Sequence, residues 1–113
     1  AEKIQNEMLR FELENHRKPW VALMGLAFKP NIDDLRESPA KSITSKVLQS
    51  GNNSQIMIVE PNVPEHNLFK LTNYKEAYEK ADIVVFLVNH NEFAELNYRN
   101  DVKVLDFCGT FKK

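Results

Sequence analysis

Four short apolar blocks constrain this chain more than any other feature: Trp20 to Gly25, Gln55 to Glu60, Asp82 to Val88 and Val102 to Asp106. The first is bounded by Pro19 and the second is stopped by Pro61, and each is too short for a buried helix, so all four read as strands. Asp82 to Val88 (Asp-Ile-Val-Val-Phe-Leu-Val) is apolar and β-branched through its centre. Near-continuous apolar strands of this kind belong to a parallel sheet covered on both faces.

The segments between the blocks have helical character. Ala1 to Lys18 lacks Pro and Gly and places Ile4, Met8 and Phe11 on one face, with Leu9 and Leu13 beside it, so it reads as a helix ended by Pro19. That stripe is wide for a free terminal helix and must pack on this domain or on a neighbour. Ser38 as N-cap and Pro39 at the first helical position open a second helix, with Ala40, Ile43, Val47 and Leu48 inward and Gly51 closing it. Tyr74 to Ala81 reads as a short helix with Tyr74, Ala77 and Tyr78 inside, and His90 to Leu96 as a helical turn. Asn62 to Asn73 contains Pro64 and reads as loop. The predicted fold class is α/β: a small doubly wound, Rossmann-like, mostly parallel sheet with flanking helices, preceded by an N-terminal helix. Trp20 and the Phe residues are expected in its core.

Composition then narrows function. The chain has 113 residues, the length of one domain. Its three glycines, Gly25, Gly51 and Gly109, stand too far apart for a G-x-G-x-x-G turn or a phosphate loop of the Walker type. With 15 Lys and Arg against 16 Asp and Glu there is no basic surplus for nucleic acid or an anionic membrane. Cys108 is the single cysteine, and His16, His66 and His90 have no thiol or carboxylate at ligand spacing, so no metal is expected and a reducing, cytoplasmic setting fits. No segment approaches the ~20 apolar residues of a membrane helix, and no signal-peptide core follows Ala1.

In a doubly wound sheet, ligands bind beyond the carboxyl ends of the strands. The segment that falls there is Ala27-Phe28-Lys29-Pro30-Asn31-Ile32-Asp33-Asp34-Leu35-Arg36-Glu37-Ser38-Pro39-Ala40. Lys29 and Arg36 flank a helix start whose free N–H groups carry partial positive charge, an arrangement that would hold a phosphate or diphosphate. The alternative is a solvated turn with local ion pairs among Asp33, Asp34, Arg36 and Glu37. Asp33 and Asp34 fit helix capping or the orientation of an Arg better than acid–base catalysis. Glu60, at the end of the second block, is placed to accept from ribose hydroxyls, and His90, after the third, to touch a ligand or to shape its loop. Cys108 reads as a packed, unreactive thiol.

The run from Gly25 to Ala40 resembles the signature that opens the C-terminal domain of the UDP-glucose/GDP-mannose dehydrogenase family. Val59-Glu60-Pro61-Asn62, Ala81 to Val85, Val88-Asn89-His90 with Phe93, and Val104-Leu105-Asp106 follow in the family's order, so that the resemblance covers roughly residues 19–109. Glu-Pro-Asn and Asn-His with Phe look most like the branch acting on UDP-N-acetyl-D-mannosamine, which oxidises a C6 hydroxyl to a carboxylate by two hydride transfers to NAD. The resemblance implies that residues 1–18 are the end of a helix joining two halves, that residues 19–113 bind the UDP-sugar, and that NAD lies mainly in an absent N-terminal half. By position, Lys29 would contact the substrate near its UDP moiety, Arg36 would reach the cofactor pyrophosphate and Phe28 would line the cleft, with Asp34 and Ser38 fixing the loop. The whole enzyme would be a homodimer or higher homo-oligomer.

The family's catalytic thiol lies in a Gly-Gly-x-Cys segment upstream of the joining helix, and nothing of that kind precedes Gly25. Cys108 comes after the last strand and does not take that role. The expectation is therefore a C-terminal fragment that is inactive alone, with no initiating Met at Ala1. The alternatives are a stand-alone nucleotide-sugar-binding or regulatory module without catalysis, and a receiver-like signalling domain, whose acids should follow the first strand directly.

Overall fold

A computed structural model of the chain describes residues 2–26, 39–49, 55–61, 70–88, 90–94, 96 and 101–107. The order is α1 (Glu2–Asn15), β1 (Val21–Met24), α2 (Pro39–Leu48), β2 (Ile56–Val59), α3 (Tyr74–Lys80), β3 (Ile83–Phe86), α4 (Asn91–Ala94) and β4 (Lys103–Asp106). The four strands form one sheet in the order β2-β1-β3-β4, and every pairing is parallel. Val21 lies opposite Ile56 on one side and Ile83 on the other. The doubly wound α/β prediction holds.

Alternate residues of the strands serve two cores, because successive side chains point to opposite faces. On one face Ala22 and Met24 meet Met57, Val59, Val84 and Phe86 beneath Ala77 and Tyr78 of α3 and Phe93 of α4. On the other, Val21 and Leu23 join Ile83, Val85 and Leu105 beneath Ile4 and Met8 of α1 and Val47 of α2. Burial on both faces explains why β1, β2 and β3 are apolar throughout, whereas the edge strand β4 buries only Leu105 and exposes Lys103.

The first helix stops at Asn15, three residues before the sequence reading ends it, because His16 adopts a positive φ of 56° and donates its N–H to the Glu12 carbonyl at 2.9 Å. A left-handed residue of this kind turns the chain out of a helix before Pro19 is reached. The turn is then anchored to the start of β3. Arg17 donates to both carboxylate oxygens of Asp82, at 2.9 and 3.0 Å, and the Trp20 amide donates to the same carboxylate at 2.9 Å. The Asp82 carboxylate, through these hydrogen bonds, holds the Arg17 guanidinium above its ordinary pKa.

The helical stripe of α1 divides. Ile4 and Met8 are buried against this sheet, whereas Leu9 and Leu13 are 58% and 69% exposed. Phe107 is also exposed, which corrects the expectation of core at that residue, while Trp20 and Phe11 are half-buried and pack against the two cores. Residues 71 and 72, read as loop, run along the edge of β2: Leu71 bridges Ile58 and the Thr72 N–H donates to the Ile58 carbonyl at 2.7 Å. The edge strand thereby gains a partner for its backbone. Asn73 caps α3, its side chain accepting from the amides of Lys75 and Glu76.

Candidate functional site

β1 is followed by a connection to β2 on one side of it, whereas β3 leads to β4 on the other. The connections therefore diverge between the carboxyl ends of β1 and β3, the position where open α/β sheets leave a crevice for ligands. Gly25 stands at that point with φ +110°. A Cβ added there would lie 2.7 Å from the Cβ of Val88, so only glycine lets the chain leaving β1 pass this close to the chain leaving β3. The Gly25 amide donates to the Val59 carbonyl at 2.8 Å, and the Leu87 amide donates to the Met24 carbonyl at 3.0 Å. These bonds extend the sheet to the floor of the crevice.

One residue further on, the Leu26 N–H donates to Glu60 Oε1 at 2.8 Å. His90 Nε2 lies 3.0 Å from the same oxygen, and both side chains are fully buried. Since Oε1 already accepts from Leu26, we assign the proton of this contact to Nε2, which donates. The imidazole packs edge-on against Phe93, with ring centroids 5.5 Å apart, and Phe93 in turn packs edge-on against Phe86. A carboxylate and an imidazole this deep in apolar surroundings are tolerated because they bond to each other and to backbone.

Glu60 thus turns Oε1 toward protein donors rather than toward a ribose, and His90 shapes the loop by an internal bond. Sequence reading singled out both residues but did not pair them. The signal that joins them is the strand order, which puts the ends of β2 and β3 on either side of β1.

Phe28, Lys29 and Arg36, with Asp33, Asp34 and Ser38, lie outside the described residues, as does Cys108. Both ends of their segment are described: it leaves the crevice at Leu26 and enters α2 at Pro39. Among the described residues no group of three His, Cys, Asp or Glu is placed to hold a metal ion, and no helix is long and apolar enough to cross a membrane. A groove lined by Glu7, Arg10, Phe11, Glu14, Ile83 and Lys103 lies at the opposite, amino end of the sheet and mixes charges of both signs.

Comparison with known proteins decides the family. Residues 22–112 match the profile of the UDP-glucose/GDP-mannose dehydrogenase family, UDP binding domain. The chain belongs to this family. Its UDP-binding domain therefore includes the Gly25–Val88 approach, the segment 27–38 and the Glu60–His90 pair. Among relatives of the family, UDP-N-acetyl-D-mannosamine dehydrogenase of Campylobacter jejuni is 48% identical over 97 residues, covering 80% of this chain and 23% of that protein. The Escherichia coli K12 protein of the same name is 42% identical over 85 residues, covering 71% of this chain and 20% of that protein. The chain thus spans about a fifth of the length of these relatives.

Solved structures agree in fold. A GDP-mannose dehydrogenase from Pseudomonas aeruginosa superposes with a TM-score of 0.71 at 23% identity, over 91% of this chain and 28% of that one. A UDP-N-acetyl-mannosamine dehydrogenase from Staphylococcus aureus gives 0.67 at 24% identity, over 95% of this chain and 26% of that one.

Proposed function

We propose that this UDP-binding domain serves an NAD-dependent UDP-sugar 6-dehydrogenase that converts UDP-N-acetyl-D-mannosamine to the uronate, and that it binds the substrate's UDP moiety. The 48% identity to a UDP-N-acetyl-D-mannosamine dehydrogenase carries this reading. In the proposed arrangement Lys29 meets the diphosphate of the UDP-sugar from the segment that springs from Leu26, and Phe28 lines the cleft beside it. Helix α2, which begins at Pro39 and connects the parallel strands β1 and β2, points its N-terminus and the positive end of its dipole toward the same end of the sheet.

NAD would accept the two hydrides from C6. The crevice offers a single glycine, Gly25, followed by Leu26, and not the glycine-rich turn that cradles a dinucleotide. The cofactor accordingly belongs mainly to another part of the enzyme, and Arg36 is the residue of this chain that reaches its pyrophosphate. Helix α1 belongs to the connection between the two parts, and the whole enzyme is a homo-oligomer working in the cytoplasm.

Calorimetric titration of the chain with UDP tests the reading. A charge-assisted contact in a formed cleft contributes about 1.5–3 kcal/mol, so Lys29→Ala should weaken binding by about tenfold or more. Uridine, which lacks the phosphates, should bind more weakly than UDP and show little response to the substitution. Equal UDP affinities for wild type and Lys29→Ala would remove Lys29 from the site.

A further inference from the structure

We infer that Arg17 and Asp82 form a latch, and that α1 is a separately releasable unit which this latch holds down on the sheet. Helix α1 is packed unevenly along its length. Its first half buries Ile4 and Met8 in the core shared with Val21, Leu23 and Val85, and Gln5 reaches the Lys46 carbonyl of α2 at 3.3 Å. Beneath its second half runs the mixed-charge groove, with Glu7, Arg10, Phe11 and Glu14 on the helix side and Ile83 and Lys103 at the starts of β3 and β4. Apolar packing is thin there, and Phe11 is only half-buried.

Arg17 bridges this gap. Its guanidinium lies 4.9 Å from the Phe11 ring centroid and donates to both oxygens of Asp82, at 2.9 and 3.0 Å. The Trp20 amide donates to the same carboxylate at 2.9 Å, so one residue at the start of β3 ties down both the end of the helix and the entry to β1. The left-handed His16 already interrupts the helix, which leaves α1 free to part from the strand without breaking a continuous element. A helix of 14 residues is marginal in water by itself, so α1 persists only while docked. Exposed ion pairs contribute little as a rule, but a forked arginine on a carboxylate with a third donor is the exception. The Arg17 side chain is 55% exposed, so dissolved salt weakens its hold. In the proposed enzyme, where α1 belongs to the connection between two parts, the latch holds the angle between that connection and this sheet. That consequence rests on the functional reading, whereas the latch does not.

Native-state hydrogen exchange of the chain tests the inference. In wild type the amides of Met8 to Glu12 should exchange through an opening that leaves those of β1 and β3 protected. Arg17→Ala should lower protection in α1 by about fivefold and change that of β1 and β3 by less than about twofold. Asp82→Asn keeps an acceptor for the Trp20 amide and should lower α1 protection in the same way. Both substitutions together should cost little more than either alone, because they remove one contact. Sodium chloride at about 1 M, which shortens the screening length to about 3 Å, should lower α1 protection in wild type and have little effect in Arg17→Ala. If the α1 amides exchange together with those of β1 and β3, or are unprotected in wild type, α1 is not a separate unit held by a latch. Equal losses in helix and strands on Arg17→Ala, or no loss in α1, would reduce the ion pair to an ordinary surface contact.

Discussion

Gly25 combines two demands that no other residue meets together. Its φ of +110° is strained for any L side chain, and an added Cβ would meet Val88 Cβ at 2.7 Å. Gly25→Ala should therefore cost about 2–4 kcal/mol from backbone strain and overlap, lowering the melting temperature by roughly 10 °C or more. Adding Val88→Ala should not restore stability, because alanine keeps the Cβ that is the nearest atom. Calorimetric melting of the three variants checks this, and a Gly25→Ala chain as stable as wild type would show that the crevice floor yields. The sequence marks Gly25 as the end of an apolar block and the start of the family motif, but carries no sign that it abuts Val88. Likewise Glu60 and His90 are visible as polar residues after strands, but thirty positions apart they carry no sign of contact. Proximity between them is a property of the sheet order.

Among the elements, α1 shows most clearly what periodicity tells and what it omits. Spacing correctly assigns Ile4 and Met8 to a buried face, yet Leu9 and Leu13 are equally apolar and remain largely exposed. Which part of a wide stripe is covered depends on the angle at which the helix meets the sheet, and here the Arg17–Asp82 bonds and the left-handed His16 set the chain's entry into β1. Ile4→Ala should cost about 2–4 kcal/mol by leaving a cavity above Val21 and Leu23, whereas Leu13→Ala should change stability by no more than about 0.5 kcal/mol. Urea denaturation of the chain separates these outcomes, and comparable losses at both positions would mean that Leu13 is covered in solution. The strands were more legible than the helix, because burial on both faces leaves a continuous apolar signature that needs no partner to recognise.

At the scale of the whole molecule, the chain is one parallel sheet whose connections diverge between the carboxyl ends of β1 and β3. It belongs to the UDP-glucose/GDP-mannose dehydrogenase family, as its UDP-binding domain, and spans about a fifth of the relatives named above. The proposed reaction needs a thiol and a cofactor cradle that the sequence reading places elsewhere in the enzyme. The 113-residue chain, mixed with NAD and UDP-N-acetyl-D-mannosamine, should accordingly form no NADH above a protein-free control, while still binding UDP by calorimetry. Robust turnover at 340 nm would show that the chain is a complete catalyst and would overturn the division of labour between two halves. The family resemblance was legible in the long motif from Gly25 to Ala40, while the structure of its candidate contacts Phe28, Lys29 and Arg36 lies outside the described residues.

By itself the sequence determined the class of fold, since short apolar runs alternating with amphipathic segments leave a parallel sheet covered on both faces as the economical way to bury them. It also singled out the motif that marks the family. Tertiary structure alone decided the order β2-β1-β3-β4, which half of the α1 stripe is covered, and the meeting of Leu26, Glu60 and His90 at the end of β1. The physical reason is that periodicity records burial along a single element, whereas crevices and buried pairs arise from contacts between elements distant in sequence.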